Sequence, residues 1–215
     1  MDIGILGTGM VGQTIGSKLV QIGHKVMMGS RTADNPKAVS WAKEEGPNAF
    51  FGTFADAAAF GEIVFNCTQG SASLQALGQA GAENLKGKIL IDTSNPIDYS
   101  TEITTLTVCN TDSLGEQIQR AFPETRVVKT LNTMNANVMA NPAKLIEYTD
   151  IFVSGNDVEA RAVVSGYLRD WFGWKSVIDL GDITTSRGVE MFLILWLSLR
   201  RVTSAKHINI KFVTS

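Results

Sequence analysis

Apolar residues in this chain come as short clusters, and the stretches between them carry helical spacing. Ile3 to Leu6 reads as a strand and Val11 to Ile22 as a helix; Lys25 to Met28 and Pro36 to Glu45 repeat the pair. The alternation continues through strand Ala49 to Phe51, an Ala-rich helix Phe54 to Phe60, strand Ile63 to Cys67, a helix over Ser71 to Ala80 and strand Ile89 to Asp92. Short runs rich in β-branched and aromatic residues are expected where helices cover both faces of a parallel sheet. The pattern therefore predicts an α/β protein, a Rossmann-type doubly wound parallel sheet.

Ser94-Asn95-Pro96 interrupts the pattern, and Tyr99 to Asp112 reads as a polar loop before a helix over Ser113 to Phe122. A sixth strand, Arg126 to Leu131, leads into a turn-rich Asn132 to Asn141 segment. Beyond residue 149 the grammar restarts with strand Ile151 to Ser154, helix Val158 to Phe172, strand Ser176 to Asp179 and a helix from Gly188 to Val202. Ile208 to Val213 reads as a strand or an extended arm. This divides the chain into a nucleotide-binding unit, 1–149, and a small C-terminal α/β extension, 150–215, that caps it or serves dimerisation. The Met191 to Leu199 helix is apolar almost all round, which predicts burial between subunits of a homodimer.

Composition narrows the class without changing the fold. The chain has 215 residues, 44% hydrophobic and 19% charged, with a net charge of -2, as in an ordinary soluble globular protein without the basic footprint of a nucleic-acid binder. The apolar helix is too short to cross a bilayer. With no secretory pattern at the N-terminus, a cytoplasmic location is expected. Cys67 and Cys109 have no CxxC or His spacing around them, and His24 and His207 stand apart, so no metal site is expected.

Gly7-Thr8-Gly9-Met10-Val11-Gly12 is a full GxGxxG between a strand and a helix, the position in which such a turn lays its amides and the helix dipole against a diphosphate. NAD-binding relatives of this fold end the second strand in Asp or Glu, which holds the ribose 2'-hydroxyl. Here that strand ends in Gly29-Ser30-Arg31, where a hydroxyl and a guanidinium suit a 2'-phosphate. NADP(H) is the expected cofactor, with Lys37 a second cation near by. Loops outside the carboxyl ends of the strands line the ligand crevice. This adds Cys67 and Thr68 after the fourth strand, Asn95 after the fifth, and the Asn132 to Ala136 segment after the sixth.

With those residues in view the chain resembles the NADPH-dependent F420 reductase family, the F420H2:NADP oxidoreductases and their bacterial relatives, over nearly its whole length. The resemblance is carried by the glycine turn, Gly23-His24-x-Val26-x-x-Gly29-Ser30-Arg31, Asp92-Thr93-Ser94-Asn95-Pro96, Val127 to Thr133, Asp179-Leu180-Gly181 and Ser186-Arg187-x-x-Glu190. It implies that Thr8 to Val11 contact the pyrophosphate and that Ser30, Arg31 and Lys37 hold the 2'-phosphate. It also implies direct hydride exchange between NADPH and a deazaflavin, which needs no catalytic acid or base. Thr68-Gln69-Gly70 and Asn132-Thr133-Met134-Asn135 depart from the archaeal pattern on the acceptor side, which admits a flavin or another small acceptor.

Two alternatives stay open at this point. One is an NADP(H)-binding sensor or partner protein without turnover. The other is an imine or ketone reductase, which would need a proton donor in the crevice. Lys129, Arg187 and Glu190 interrupt apolar patterns and are expected to form ion pairs that fix the C-terminal part onto the first. Trp171 and Trp174 are expected to pack.

Overall fold

The computed structural model describes residues 1–100 and 102–214. The first half is β1 (Asp2–Leu6), α1 (Met10–Gln21), β2 (Lys25–Ser30), α2 (Pro36–Glu45), β3 (Ala49–Thr53), α3 (Phe54–Phe60), β4 (Ile63–Asn66), α4 (Gly70–Ala80), α5 (Ala82–Leu85) and β5 (Ile89–Asp92). There follow β6 (Ile97–Asp98), β7 (Thr105–Leu106), α6 (Leu114–Ala121), β8 (Arg126–Lys129), α7 (Ala136–Ala140), β9 (Asp150–Val153), α8 (Val158–Asp170), β10 (Ser176–Asp179) and α9 (Ser186–Val202).

Six strands form one parallel sheet in the order β3-β2-β1-β4-β5-β8. Alternation along each strand divides the core between the two faces. Ile3 and Ile5, Ile63 and Phe65, and Ile89 and Ile91 enter one apolar cluster, while Leu6, Val64 and Leu90 enter the other. The chain reverses direction across the sheet between β1 and β4, so the loops after these two strands diverge and leave a crevice at their carboxyl ends.

The second part is tied to this sheet in several ways. Lys129 and Ser154 form an antiparallel bridge, β9 and β10 pair in parallel, and Trp174 is buried with its indole N–H donating to Met139 O at 3.2 Å. Trp171 stacks on Tyr167, centroids 3.7 Å apart, so both tryptophans pack as expected. Lys129 on β8 and Glu190 pair at 2.9 Å, and Arg187 pairs with Glu116 on α6 at 2.6 Å, which is the predicted fastening of the C-terminal part onto the first.

Two segments differ from the sequence expectation. The polar Tyr99 to Asp112 stretch contributes β7 to a two-stranded antiparallel hairpin with β6. The turn-rich Asn132 to Asn141 segment contains α7, capped by the Asn135 side chain, which accepts from Val138 N. On α9, Leu193 and Trp196 are buried while Leu195, Leu199 and Val202 are exposed, so only one face is covered by its own chain. The closing residues Ile208 to Val213 run as an arm, with Asp150 N donating to Ile210 O at 3.1 Å. No helix among the described residues is long and apolar enough to cross a membrane.

Candidate functional site

The turn after β1 uses its glycines differently. Gly7 has φ 119°, a left-handed conformation, and a Cβ there would stand 2.7 Å from Cys67 O. At Gly12 a Cβ would stand 2.1 Å from Gly7 O, so only hydrogen lets α1 close on the turn. Gly9 is extended and has nothing within 4 Å of its Cβ position. The protein itself does not require glycine at 9; the open space suits a ligand that approaches the backbone. No side chain caps α1, which leaves its positive end and first N–H groups facing that space.

These differences give a paired expectation. Gly9→Ala should melt within about 0.5 kcal/mol of the parent, as an unstrained exposed change does, yet bind NADPH about tenfold more weakly, the loss of one charge-assisted contact. Gly12→Ala should lose the folded state. Thermal melting beside fluorescence titration reads both, and equal NADPH affinity in Gly9→Ala would remove the diphosphate from this turn.

The turn opens on a crevice of about 350 Å³ lined at one end by Gly7, Thr8 and Gly9 and at the other by Ser30 and Arg31. Among the described residues that line it, Arg31 is the sole charged side chain, so no carboxylate opposes a 2'-phosphate. The Ser30 hydroxyl donates to Thr32 O at 2.5 Å and accepts from Thr32 N at 3.3 Å, so it shapes the turn that carries Arg31. The opposite wall is one face of α4, Ala72, Gln75, Ala76 and Gln79, with Phe54 beside it.

A second hollow, about 450 Å³, adjoins the first and shares Gly9, Cys67, Thr68 and Gln69 with it. Its floor is Thr93 to Asn95 and Asn132, and its walls include Met10, Met134, Met139, Leu193 and Tyr99. No charged side chain lines it among the described residues. The floor is braced: Asn95 Nδ2 donates to Asn132 O at 2.8 Å, and Asn132 Nδ2 donates to Asn95 Oδ1 at 2.9 Å. Leu131 holds φ 61° immediately before this pair, a costly conformation for a branched residue, and its burial keeps it there. A Cβ on Gly70 would lie 1.9 Å from Asn95 O, so the loops after β4 and β5 touch backbone to backbone. Burial pushes the Cys67 thiol up to about 12, with the Asp92 charge adding and the Thr93 bond opposing, so the thiol lines both hollows in neutral form.

The family described as NADP oxidoreductase, coenzyme F420-dependent, matches residues 2–96. A solved structure from Arthrobacter sp. FB24, provisionally described as an F420-dependent NADP-reductase, is 47% identical, with 99% of each chain covered and a TM-score of 0.93. The chain belongs to the F420-dependent NADP oxidoreductase family. The F420-dependent NADP reductase of Methanothermobacter marburgensis is 25% identical over 93% of this chain and 92% of that protein. Metalloreductase STEAP3 of Rattus norvegicus is 31% identical over 87% of this chain, which spans only 35% of that relative's length.

In this F420-dependent NADP oxidoreductase family member, the sequence-predicted residues sort by place. Gly7, Thr8, Gly9, Ser30, Arg31, Cys67 and Thr68 line the first hollow, and Met10, Val11 and Asn95 line the second. Gly12 is a packing position. Lys37 is exposed on the first turn of α2 and Ala136 is buried at the start of α7, and neither lines a hollow. Asn35, Phe54, Gln75 and Gln79 were not legible as lining. The signal for the glutamines is their i, i+3 spacing from Ala72 and Ala76, which puts all four on one helix face.

Behind the floor lies a buried polar ladder. The Lys129 ammonium sits 2.5 Å from Asp92 Oδ2, 2.9 Å from Glu190 Oε1 and 2.7 Å from Ser94 O. Glu190 also accepts from Leu114 N and Gly115 N at 2.9 and 3.0 Å, at the positive end of α6. Asp92 passes the network to Asn66 Nδ2 at 2.8 Å, and Asn66 Oδ1 receives Thr68 Oγ1 at 2.6 Å. Burial disfavours the charged lysine, but the Asp92 and Glu190 charges outweigh it and hold its pKa above the ordinary value. The ladder ends at Thr68 and Ser94, so it sets the two loops that face the hollows.

Proposed function

We propose that this chain is an NADP(H)-dependent oxidoreductase that moves a hydride between NADPH and a deazaflavin (F420) or flavin-like acceptor. The carrying observation is that the two hollows are continuous through Gly9, Cys67, Thr68 and Gln69. One end has a phosphate turn and a free guanidinium; the other is a neutral cleft suited to flat rings.

The bound nicotinamide supplies the hydride. The chain's own residues do the rest by position. The Gly7 to Val11 turn and α1 hold the diphosphate, and Arg31 holds the 2'-phosphate on the turn that Ser30 closes. Thr68 and Asn95, fixed by the buried ladder and the Asn95–Asn132 pair, form the floor on which two rings meet. Met10, Met134, Met139 and Leu193 exclude water with soft, polarisable surface. Residues 1–149 form the nucleotide-binding unit and residues 150–215 the cap, and the exposed apolar edge of α9 supports a homodimer.

Anaerobic mixing with NADPH deuterated at C4 and with either F420 or FMN tests this reading. The expected result is reduction of the acceptor, with deuterium retained at C5 of the reduced deazaflavin, or, for FMN, whose N5 proton exchanges with water, with reduction slowed by the deuterium. Tight NADPH binding with no reduction of either acceptor would replace it with the sensor reading.

A further inference from the structure

The acceptor cleft is uncharged, yet its rim borders a cluster of cations. Asn135, next in the chain after the cleft residue Met134, donates through Nδ2 to Lys206 O at 3.3 Å and lies 3.3 Å from His207 Nδ1. Arg200 donates to Lys206 O at 2.8 Å and lies 5.5 Å from the centroid of the Trp196 ring. Lys144, Lys206 and His207 line one shared hollow beside this point. Its carboxylate, Glu147, is paired with Lys211 at 3.6 Å.

Among the described residues none of Lys144, Arg200, Lys206 and His207 has an ion-pair partner, although Arg120, Arg126, Arg161 and Arg187 each have one. The arm that carries Lys206 and His207 is pinned rather than loose. Trp196 Nε1 donates to Ile208 O at 3.2 Å, and Asn209 Nδ2 donates to Asp150 O at 3.0 Å. Burial, followed by the charges of Lys144, Lys206 and Arg200, lowers the His207 pKa, so His207 stands as a neutral imidazole among three cations that repel one another. An anion would relieve that repulsion. From Leu193 in the cleft wall to Arg200 is seven residues of α9, or about 10 Å along the axis. A polyol chain between a flavin-type ring and its phosphate spans a gap of this kind.

We propose that Lys144, Arg200, Lys206 and His207 dock the anionic tail, a phosphate or carboxylate, of the hydride acceptor whose ring lies in the neutral cleft. This rests on the oxidoreductase reading above and deepens it: the cleft recognises the ring by shape, and the C-terminal arm recognises the tail by charge. Each phosphorylated acceptor would then be preferred over its tailless counterpart, and the preference would fall with salt.

The test compares kcat/KM for two pairs, FMN with riboflavin and F420 with its free deazaflavin chromophore, in the parent and in an Arg200→Gln, Lys206→Gln double variant. The ratio of tailed to tailless acceptor should fall about tenfold in the variant, as expected for two lost charge contacts. Lys144→Gln, outside the arm, should lower the same ratio less steeply, and melting curves with NADPH titration confirm that both variants are folded. An unchanged ratio with acceptors still reduced overturns the tail site and leaves the oxidoreductase reading intact. Reduction of none of the four acceptors by the parent overturns that reading and this one with it.

Discussion

Lys129→Met is expected to lower the melting temperature by roughly 6 to 20 °C. The substitution leaves Asp92 and Glu190 buried without their shared cation, and breaking such a pair costs about 3–5 kcal/mol. In a chain of this length each kcal/mol is worth about 2–4 °C. The ammonium meets Asp92, Glu190 and Ser94 O, and methionine can replace none of these. A Lys129→Met, Glu190→Gln double variant should recover part of the loss, because one of the stranded charges is gone. Simple addition of the two single losses would show that the groups do not act as a unit. Because the lysine pKa is raised in the fold, its contribution is complete below the ordinary lysine range and is lost only as pH rises through the raised value.

Arg31→Ala is expected to weaken NADPH binding by roughly 10- to 100-fold while leaving NADH binding near the parent value, so that the preference between them collapses. A charge-assisted contact to a phosphate contributes about 1.5–3 kcal/mol. No other charged side chain lines that crevice among the described residues, and Lys37 is outside the lining. Fluorescence titration of both nucleotides reads the effect. A variant that keeps its preference for NADPH would move the 2'-phosphate away from the end of β2.

Most of the sheet was legible because burial on two faces leaves short apolar runs separated by helical spacing. Ile63 to Asn66 and Ile89 to Asp92 are buried throughout, and their runs located them. The hairpin of β6 and β7 was not legible, since strands of two residues have no periodicity to read. Nor was α7, whose cap Asn135 sits in a stretch rich in asparagine that reads equally well as turns. The phosphate turn and Arg31 were readable because their chemistry is local in sequence. Of the acceptor wall only the Asn132 to Ala136 segment with Met134 was legible, as the loop after the sixth strand; Tyr99, Met139 and Leu193 come from a hairpin, a short helix and the last helix, and only the completed fold brings them to it. The cations of the C-terminal arm escaped notice for the same reason.

The contact between Gly70 and Asn95 also bears on how the protein could be altered. Main chain rests on main chain there, with no side chain acting as spacer. The separation between the two hollows is therefore a property of the scaffold, whereas, on the oxidoreductase reading proposed above, the choice of guest falls to Tyr99, Met134 and Leu193. Repainting those three walls would alter which molecule is admitted while the ruler beneath keeps its length.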